Sequence, residues 1–279
     1  MRAALAVERR VKESAMIGVV LSLAAGYQAW MEANVGSRET AESALAANQR
    51  FVAMATRELP PDSFGRAYLP EFLRYYGYQT TGFGYGIYAI PFAARDYETV
   101  RREARASIQR LEQIKNPPAS RMLDRNRTLE MAYRTAAEAS HRLNDNAAAD
   151  ADIKRALEIG KGIPVRTLGE ERDADEQVML AATIAVRMGR YADAQQMIEP
   201  VVKFHRGLYA RGKENEDLFQ HIEFARALYV SALSARGQRG LELTQAAAII
   251  DALPSAMRGL ISVSLLRDEI AEELKKRRG

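Results

Sequence analysis

The 279-residue sequence contains no cysteine, three histidines and one tryptophan. The absence of cysteine excludes disulfide bonds, thiolate nucleophiles and cysteine-ligated metals. The three histidines, His141, His205 and His221, lack the spacing at which two imidazoles bind one metal ion. We therefore expect neither a metal ion nor any other cofactor.

Motifs for phosphate binding and catalysis are also lacking. Gly82, Gly84 and Gly86 alternate with other residues and do not form a glycine-rich loop at the start of a helix. The paired carboxylates Glu170-Glu171 and Glu272-Glu273 lie in charged stretches that favour solvent exposure. The sequence therefore indicates a protein that is not an enzyme.

A strong excess of one charge is missing as well. The 40 basic residues face 36 acidic ones, and much of the excess lies near the two ends, at 9–12 and 275–278. A nucleic-acid-binding protein would need basic residues gathered on one face or a recognisable motif. We expect no nucleic-acid partner.

The residues that are abundant favour helices. Alanine, arginine, leucine and glutamate are frequent, β-branched residues are sparse outside short runs, and 47% of the residues are apolar. With 27% charged residues the chain has the composition of a folded protein. The composition predicts an all-α fold.

One uncharged run, residues 14–31, stands close to the N-terminus. Its length is at the low end of what crosses a bilayer as a helix. Arg9, Arg10 and Lys12 precede the run and Glu32 follows it, which predicts a single-pass anchor with the C-terminal part on the non-cytoplasmic side. Two other interpretations stay open: a helix packed inside a soluble protein, and a cleaved signal peptide.

The sequence suggests three segments: 1–36, a basic N-terminus with the candidate anchor; 37–61, a helical arm; and 62–279, the main domain. Ser37 is a candidate N-cap of the arm, and Pro60-Pro61 ends it because proline cannot donate to a helix. Residues 62–92 concentrate aromatic residues and glycines. This stretch fits either an aromatic cap on the first helical hairpin or a ligand pocket lined by Tyr75, Tyr78, Phe83 and Tyr85.

From residue 96 onward, apolar residues recur at three- and four-residue steps between short turns. The pattern predicts helices at 97–115, 129–143, 178–188, 217–235 and 261–276. It also predicts helices that follow the turns at 144–146, 189–191 and 237–239. Residues 203–216 lack a clear pattern and are expected to form a long linker.

The second helix of these hairpins resembles the second half of a tetratricopeptide repeat (TPR). The family's small-x-aromatic-x-x-alanine pattern falls on Gly189, Tyr191 and Ala194, followed by a large residue, Ile198. Around Asn144, Ala149, Ile153 and Ala156 the match is weaker, with Asn146 at the aromatic position. The tryptophan and Leu-Gly of the family's first helix are missing.

The turn positions Tyr97, Asn146, Tyr191 and Arg239 are 45 to 49 residues apart, whereas a standard TPR has about 34 residues. The resemblance implies a divergent, right-handed α-solenoid of antiparallel helix pairs with a capping helix at its C-terminus.

In a TPR array the first helices line a concave groove that binds a peptide or a partner helix. Transferred by position, this geometry places five residues on the groove: Arg134, Glu138, His141, Arg142 and Arg187. Arginines in such a groove suit an acidic peptide, because a guanidinium binds a carboxylate through two hydrogen bonds. The alternative is that these are ordinary exposed residues.

The resemblance and the apolar run together predict a non-enzymatic protein-protein interaction scaffold tethered to a bacterial inner membrane. Single-pass TPR proteins that assist assembly or translocation have this layout. The repeat tails of signalling proteins, such as serine/threonine kinases or adenylate cyclases, have it too. The alternative is a soluble, cytoplasmic regulatory module in which residues 14–31 pack into the fold.

Overall fold

The computed structural model describes residues 2–57, 59–79, 89–115, 117–165, 167–215, 218–236 and 240–278. Within these ranges the side chains of 2–13, 35, 75–79, 89, 212–215 and 278 lie outside the description. Every regular element in the described ranges is an α-helix. The predicted all-α fold is therefore confirmed for this part of the chain.

The helices, in chain order, are α1 (Arg2–Val35), α2 (Arg38–Arg57), α3 (Phe64–Gln79), α4 (Ala89–Ala93), α5 (Tyr97–Gln113), α6 (Ala119–Arg142), α7 (Asn146–Gly160), α8 (Leu168–Arg187), α9 (Tyr191–Asn215), α10 (Leu218–Ser234), α11 (Gly240–Asp251), α12 (Ser255–Arg258) and α13 (Ile261–Arg278).

The chain forms two compact units. The first unit comprises Met1–Ala139 and Glu158–Pro164, and the second comprises Ser140–Leu157 and Val165–Gly279. The boundary therefore falls inside α6 and α7. The breaks expected from the sequence near residues 36 and 60 are gaps between helices of the first unit.

In the first unit, α1 and α2 form an antiparallel hairpin with small residues at the interface. A Cβ built on Gly18 would lie 2.6 Å from the backbone nitrogen of Ala55, so only glycine permits this close approach. One turn later, the amide of Asn48 donates hydrogen bonds to the carbonyl and the hydroxyl of Ser22. Ser37 caps α2 by accepting a hydrogen bond from the backbone of Thr40, as the sequence predicted.

The other face of α1 is apolar and exposed. The segment Ser14–Asn34 is long and apolar enough to cross a membrane, and about a third of its most apolar stretch is buried inside the protein. Its exposed large apolar side chains are those of Met16, Ile17, Val20, Leu21, Tyr27 and Met31. These residues follow one another at helical spacing and therefore form a single stripe.

Part of the aromatic stretch packs α3. The rings of Phe64 and Tyr68 stack with centroids 4.9 Å apart, and Phe72 follows at 5.7 Å from Tyr68. The pocket interpretation rested on Tyr75, Tyr78, Phe83 and Tyr85, whose side chains lie outside the description.

Three hairpin turns share the same backbone geometry. Arg95, Asn144 and Gly189 adopt left-handed conformations with φ of 56°, 61° and 75°. In each turn the next residue donates its N–H to a carbonyl five residues back: Asp96 to Pro91, Asp145 to Ser140 and Arg190 to Ala185, at 2.8 to 2.9 Å. This arrangement terminates a helix cleanly. Each following helix, α5, α7 or α9, begins at the position expected from the sequence.

Three predicted boundaries are wrong. The helix α8 begins at Leu168, ten residues before its expected start. The expected linker at 203–216 is helical to Asn215, because α9 continues through the exposed Pro200. A proline inside a helix costs about 3 kcal/mol. Burial of Val201, His205 and Leu208 in the second unit offsets that cost. In addition, α6 begins at Ala119, ten residues before the expected start.

In the second unit α10 is buried on nearly all sides. It packs against α8, α9, α11 and α13. Its second half, from Ala227 to Ser234, is apolar apart from two serines, as expected of a helix that is covered on most faces.

Candidate partner-binding surface

The five residues predicted to line a groove fall in both compact units. Arg134 and Glu138 belong to the first unit, whereas His141, Arg142 and Arg187 belong to the second. The Arg134 residue is only 5% exposed and Glu138 is half-buried, so Arg134 has almost no surface to offer a partner. We retain the residues of the second unit as the candidate surface.

Arg142 is the last residue of α6 and forms an ion pair with Glu269 in the middle of α13. Their side chains are 19% and 24% exposed, so the pair is partly shielded from water. Partial burial strengthens an ion pair relative to one on an open surface, where the median contribution is about 0–1 kcal/mol. Arg142 therefore already binds a carboxylate presented by a helix.

Arg187 is the last residue of α8 and is exposed. Its charge acts on the buried Tyr229 of α10, as does that of Arg142. Burial raises the pKa of Tyr229 well above its ordinary value, Glu269 raises it further, and Arg187 opposes the rise. We call Arg142 and Arg187, with the buried Tyr229 on which both charges act, the arginine surface.

His141 lies beside this surface on the last turn of α6. It is half-buried, and its Nδ1 is 3.4 Å from the side-chain oxygen of Asn146. The imidazole therefore contacts the first residue of α7.

Three further residues, all on α13, adjoin the arginine surface and were not predicted from the sequence. Glu273 acts on Tyr229 electrostatically, and Arg277 pairs with Glu273 at 3.3 Å. Arg277 also donates a hydrogen bond to the backbone carbonyl of Ala232 at 3.1 Å. With Glu269, these residues follow at i, i+4 and i+8, so they share one face of α13. The apolar second half of α10, from Ala227 to Ser234, was the signal that another helix had to cover it.

The second unit also contains a buried polar cluster. His205 is fully buried, with Nε2 3.2 Å from Asp175 and Nδ1 3.7 Å from Glu223. Arg172 donates to Glu223 at 2.6 Å. Burial raises the pKa of Glu223 to about 8, and the nearby Arg172 charge opposes the rise. The cluster joins α8, α9 and α10, and its outer members Arg172 and Asp175 are partly exposed.

Among the described residues, no group of three or more histidine, aspartate and glutamate side chains has the arrangement that could hold a metal ion.

No family model matches this sequence, and no curated protein or solved structure shows significant similarity to it.

Proposed function

We propose that this chain is a non-enzymatic protein-protein interaction scaffold, and that its second unit binds an acidic segment of a partner protein at the arginine surface. One observation carries the proposal: Arg142 holds the carboxylate of Glu269 in a partly shielded ion pair. A site that accepts a glutamate on one helix has the chemistry to accept a glutamate on another.

The placement of the two arginines supports the same proposal. Arg142 and Arg187 end α6 and α8, where the partial negative charge of the helix termini favours cations. Both act on Tyr229, so their charges converge on one region. Exposed Arg187 has room for an additional carboxylate.

The repeated turns support the TPR-like part of the proposal. In the second unit, Arg190 of one turn pairs with Asp150 on α7. The guanidinium of Arg236, in the next turn, lies 4.2 Å from the ring centroid of Tyr191. Each of these hairpin turns thus contacts the N-terminal part of the second helix in the preceding hairpin. Repeats that stack on one another make contacts of this kind. A right-handed solenoid is the arrangement that we propose for these hairpins.

Partner capture tests the proposal. The Arg142→Glu, Arg187→Glu double variant should lose partners that the wild type captures from native extracts, as quantified by mass spectrometry. Lys203→Glu with Arg206→Glu is the matched control, because both residues are exposed on α9 and the charge change is the same. Equal capture by all three proteins would overturn the proposal.

We further propose that α1 tethers the chain to a bacterial inner membrane, with the helical units on the non-cytoplasmic side. The apolar stripe from Met16 to Met31 and the basic residues before it support this. The second candidate is a soluble, cytoplasmic regulatory module. The hairpin favours it, since α2 carries exposed Arg50 and Arg57 alongside α1 and cannot enter hydrocarbon.

Fractionation distinguishes the two candidates. A membrane-crossing α1 predicts that the protein resists carbonate extraction and requires detergent. External protease should then digest the helical units in spheroplasts. Release by carbonate, with the units protected in intact spheroplasts, would show that the second candidate is correct.

A further inference from the structure

The helix α13 lies along the face of the second unit that carries the arginine surface. Its residues Val263, Leu266 and Ile270 are 0%, 4% and 2% exposed, and they recur at three- and four-residue steps. The apolar stripe packs against α10 and α11. The first part of α13 therefore acts as a hydrophobic cap on the unit.

The last three turns of α13 are bound differently. Besides the buried Ile270 of the apolar stripe, these turns make polar contacts with the rest of the unit: Glu269 with Arg142, and Arg277 with the carbonyl of Ala232. Glu272, Lys275 and Lys276 are exposed, and Lys276 pairs with Glu273 at 3.6 Å. This part of the helix thus presents two carboxylates one turn apart, Glu269 and Glu273, toward a surface that contains two arginines.

The arginine surface consequently has an occupant within the same chain. A first helix that lines an open TPR groove has one free face, whereas α10 is buried over most of its length. Arg277 reaches the backbone of α10 at Ala232, which is fully buried. We propose that α13 is an internal ligand, and that the partner is an amphipathic protein helix with two carboxylates one turn apart that binds in place of the last three turns of α13. The inference rests on the proposed function and names its partner class.

An internal ligand changes the apparent affinity for the partner. A tethered segment competes at an effective concentration on the order of millimolar. If α13 is docked in about 99% of the molecules, the apparent dissociation constant of the partner rises about 100-fold. A variant that weakens the docking of α13 should therefore have a lower apparent dissociation constant for the partner than the wild type.

The test uses the full-length chain and a fluorescent peptide of residues 258–279 as the probe. We expect weak binding of the peptide to the wild type and at least about 10-fold tighter binding to Glu269→Lys, whose own α13 is repelled by Arg142. Glu272→Lys is the matched control, because it changes the same charge on the exposed side of α13. It should bind the peptide like the wild type.

A charge exchange makes the test specific. In the Arg142→Glu, Glu269→Lys chain the internal pair is restored with reversed sign, so the wild-type peptide should again bind weakly. A peptide that itself carries Glu269→Lys should bind Arg142→Glu more tightly than the wild-type peptide does. Cooperative thermal unfolding of each chain shows that it is folded. If Glu269→Lys does not fold, Arg142→Glu with the two peptides gives the corresponding comparison, because the carboxylate introduced at position 142 repels the chain's own Glu269.

Equal affinity of the peptide for wild type and Glu269→Lys would overturn the inference and leave the capture experiment as the test of the proposed function. Partner capture should also rise for Glu269→Lys relative to wild type. Partners that are lost from Arg142→Glu, Arg187→Glu but do not increase with Glu269→Lys would support the proposed function and overturn the role of α13.

Discussion

The side-chain amide of Asn48 donates hydrogen bonds to the backbone carbonyl of Ser22, at 2.7 Å, and to its hydroxyl, at 3.1 Å. Both residues are buried, and they join α2 to the middle of the apolar run in α1. A buried polar pair between two helices fixes their register, because any shift leaves its polar groups unpaired. One side of the apolar run is therefore a helix-helix interface, and the stripe from Met16 to Met31 lies on the exposed side.

The close approach at Gly18 gives the first prediction. In Gly18→Leu the new Cβ would meet the backbone of Ala55, so the hairpin must open, and we expect a loss of about 1–3 kcal/mol in unfolding free energy. Ala24→Leu is the matched control, because Ala24 is exposed on the same helix. Urea denaturation of the two purified variants and of the wild type measures the unfolding free energies.

This comparison also bears on the membrane. If α1 leaves α2 to cross a bilayer, Gly18→Leu and Ala24→Leu should change the stability of the protein in native membranes by the same amount. A specific loss for Gly18→Leu in membranes would show that the hairpin persists there.

The raised pKa of Glu223 gives the second prediction. Its pKa is about 8 in the folded chain against 4.5 for the unfolded reference, so between these values the folded state binds a proton that the unfolded state releases. The stabilisation from this group is complete below about pH 4.5 and is lost as the pH rises through about 8. Glu223→Gln, which mimics the neutral acid, removes this dependence.

Melting temperatures of wild type and Glu223→Gln between pH 6 and 9 test the linkage. The melting temperature of Glu223→Gln should rise relative to that of the wild type as the pH increases to about 8. Above that pH the difference should stay constant. The charged and titratable groups around Glu223 are Arg172, His205, Glu176 and Arg226, and they are common to both proteins. A difference that does not change with pH would contradict the assignment.

The sequence predicted local features well where periodicity and turn residues coincide. Tyr97, Asn146 and Tyr191 each begin a helix because a left-handed residue two positions earlier ends the preceding hairpin helix. The helical continuation of α9 past Pro200 depended on burial of His205, which periodicity does not reveal. Tertiary packing, and not the local sequence, therefore keeps α9 helical beyond Pro200.

The candidate surface was predictable only in part. Arg142 and Arg187 follow from the positions of the predicted helices. The partner of Arg142 on α13, Glu269, is 127 residues away, and no local pattern connects the two. The burial of Arg134 was missed for the same reason, since a position on a helix does not reveal which tertiary neighbours cover it.

The hairpin assignment that anchors the repeat pattern gives the last prediction. Ala194 is fully buried in α9, one turn after Tyr191. Ala194→Arg would overfill the crossing between packed helices and bury a charge, so we expect a loss of about 3 kcal/mol or more. Ala192→Arg places the same side chain at an exposed position of the same turn and should change stability by about 0.5 kcal/mol or less. Thermal unfolding compares the two, and a melting temperature of Ala194→Arg within about two degrees of wild type would be incompatible with the packing of α9.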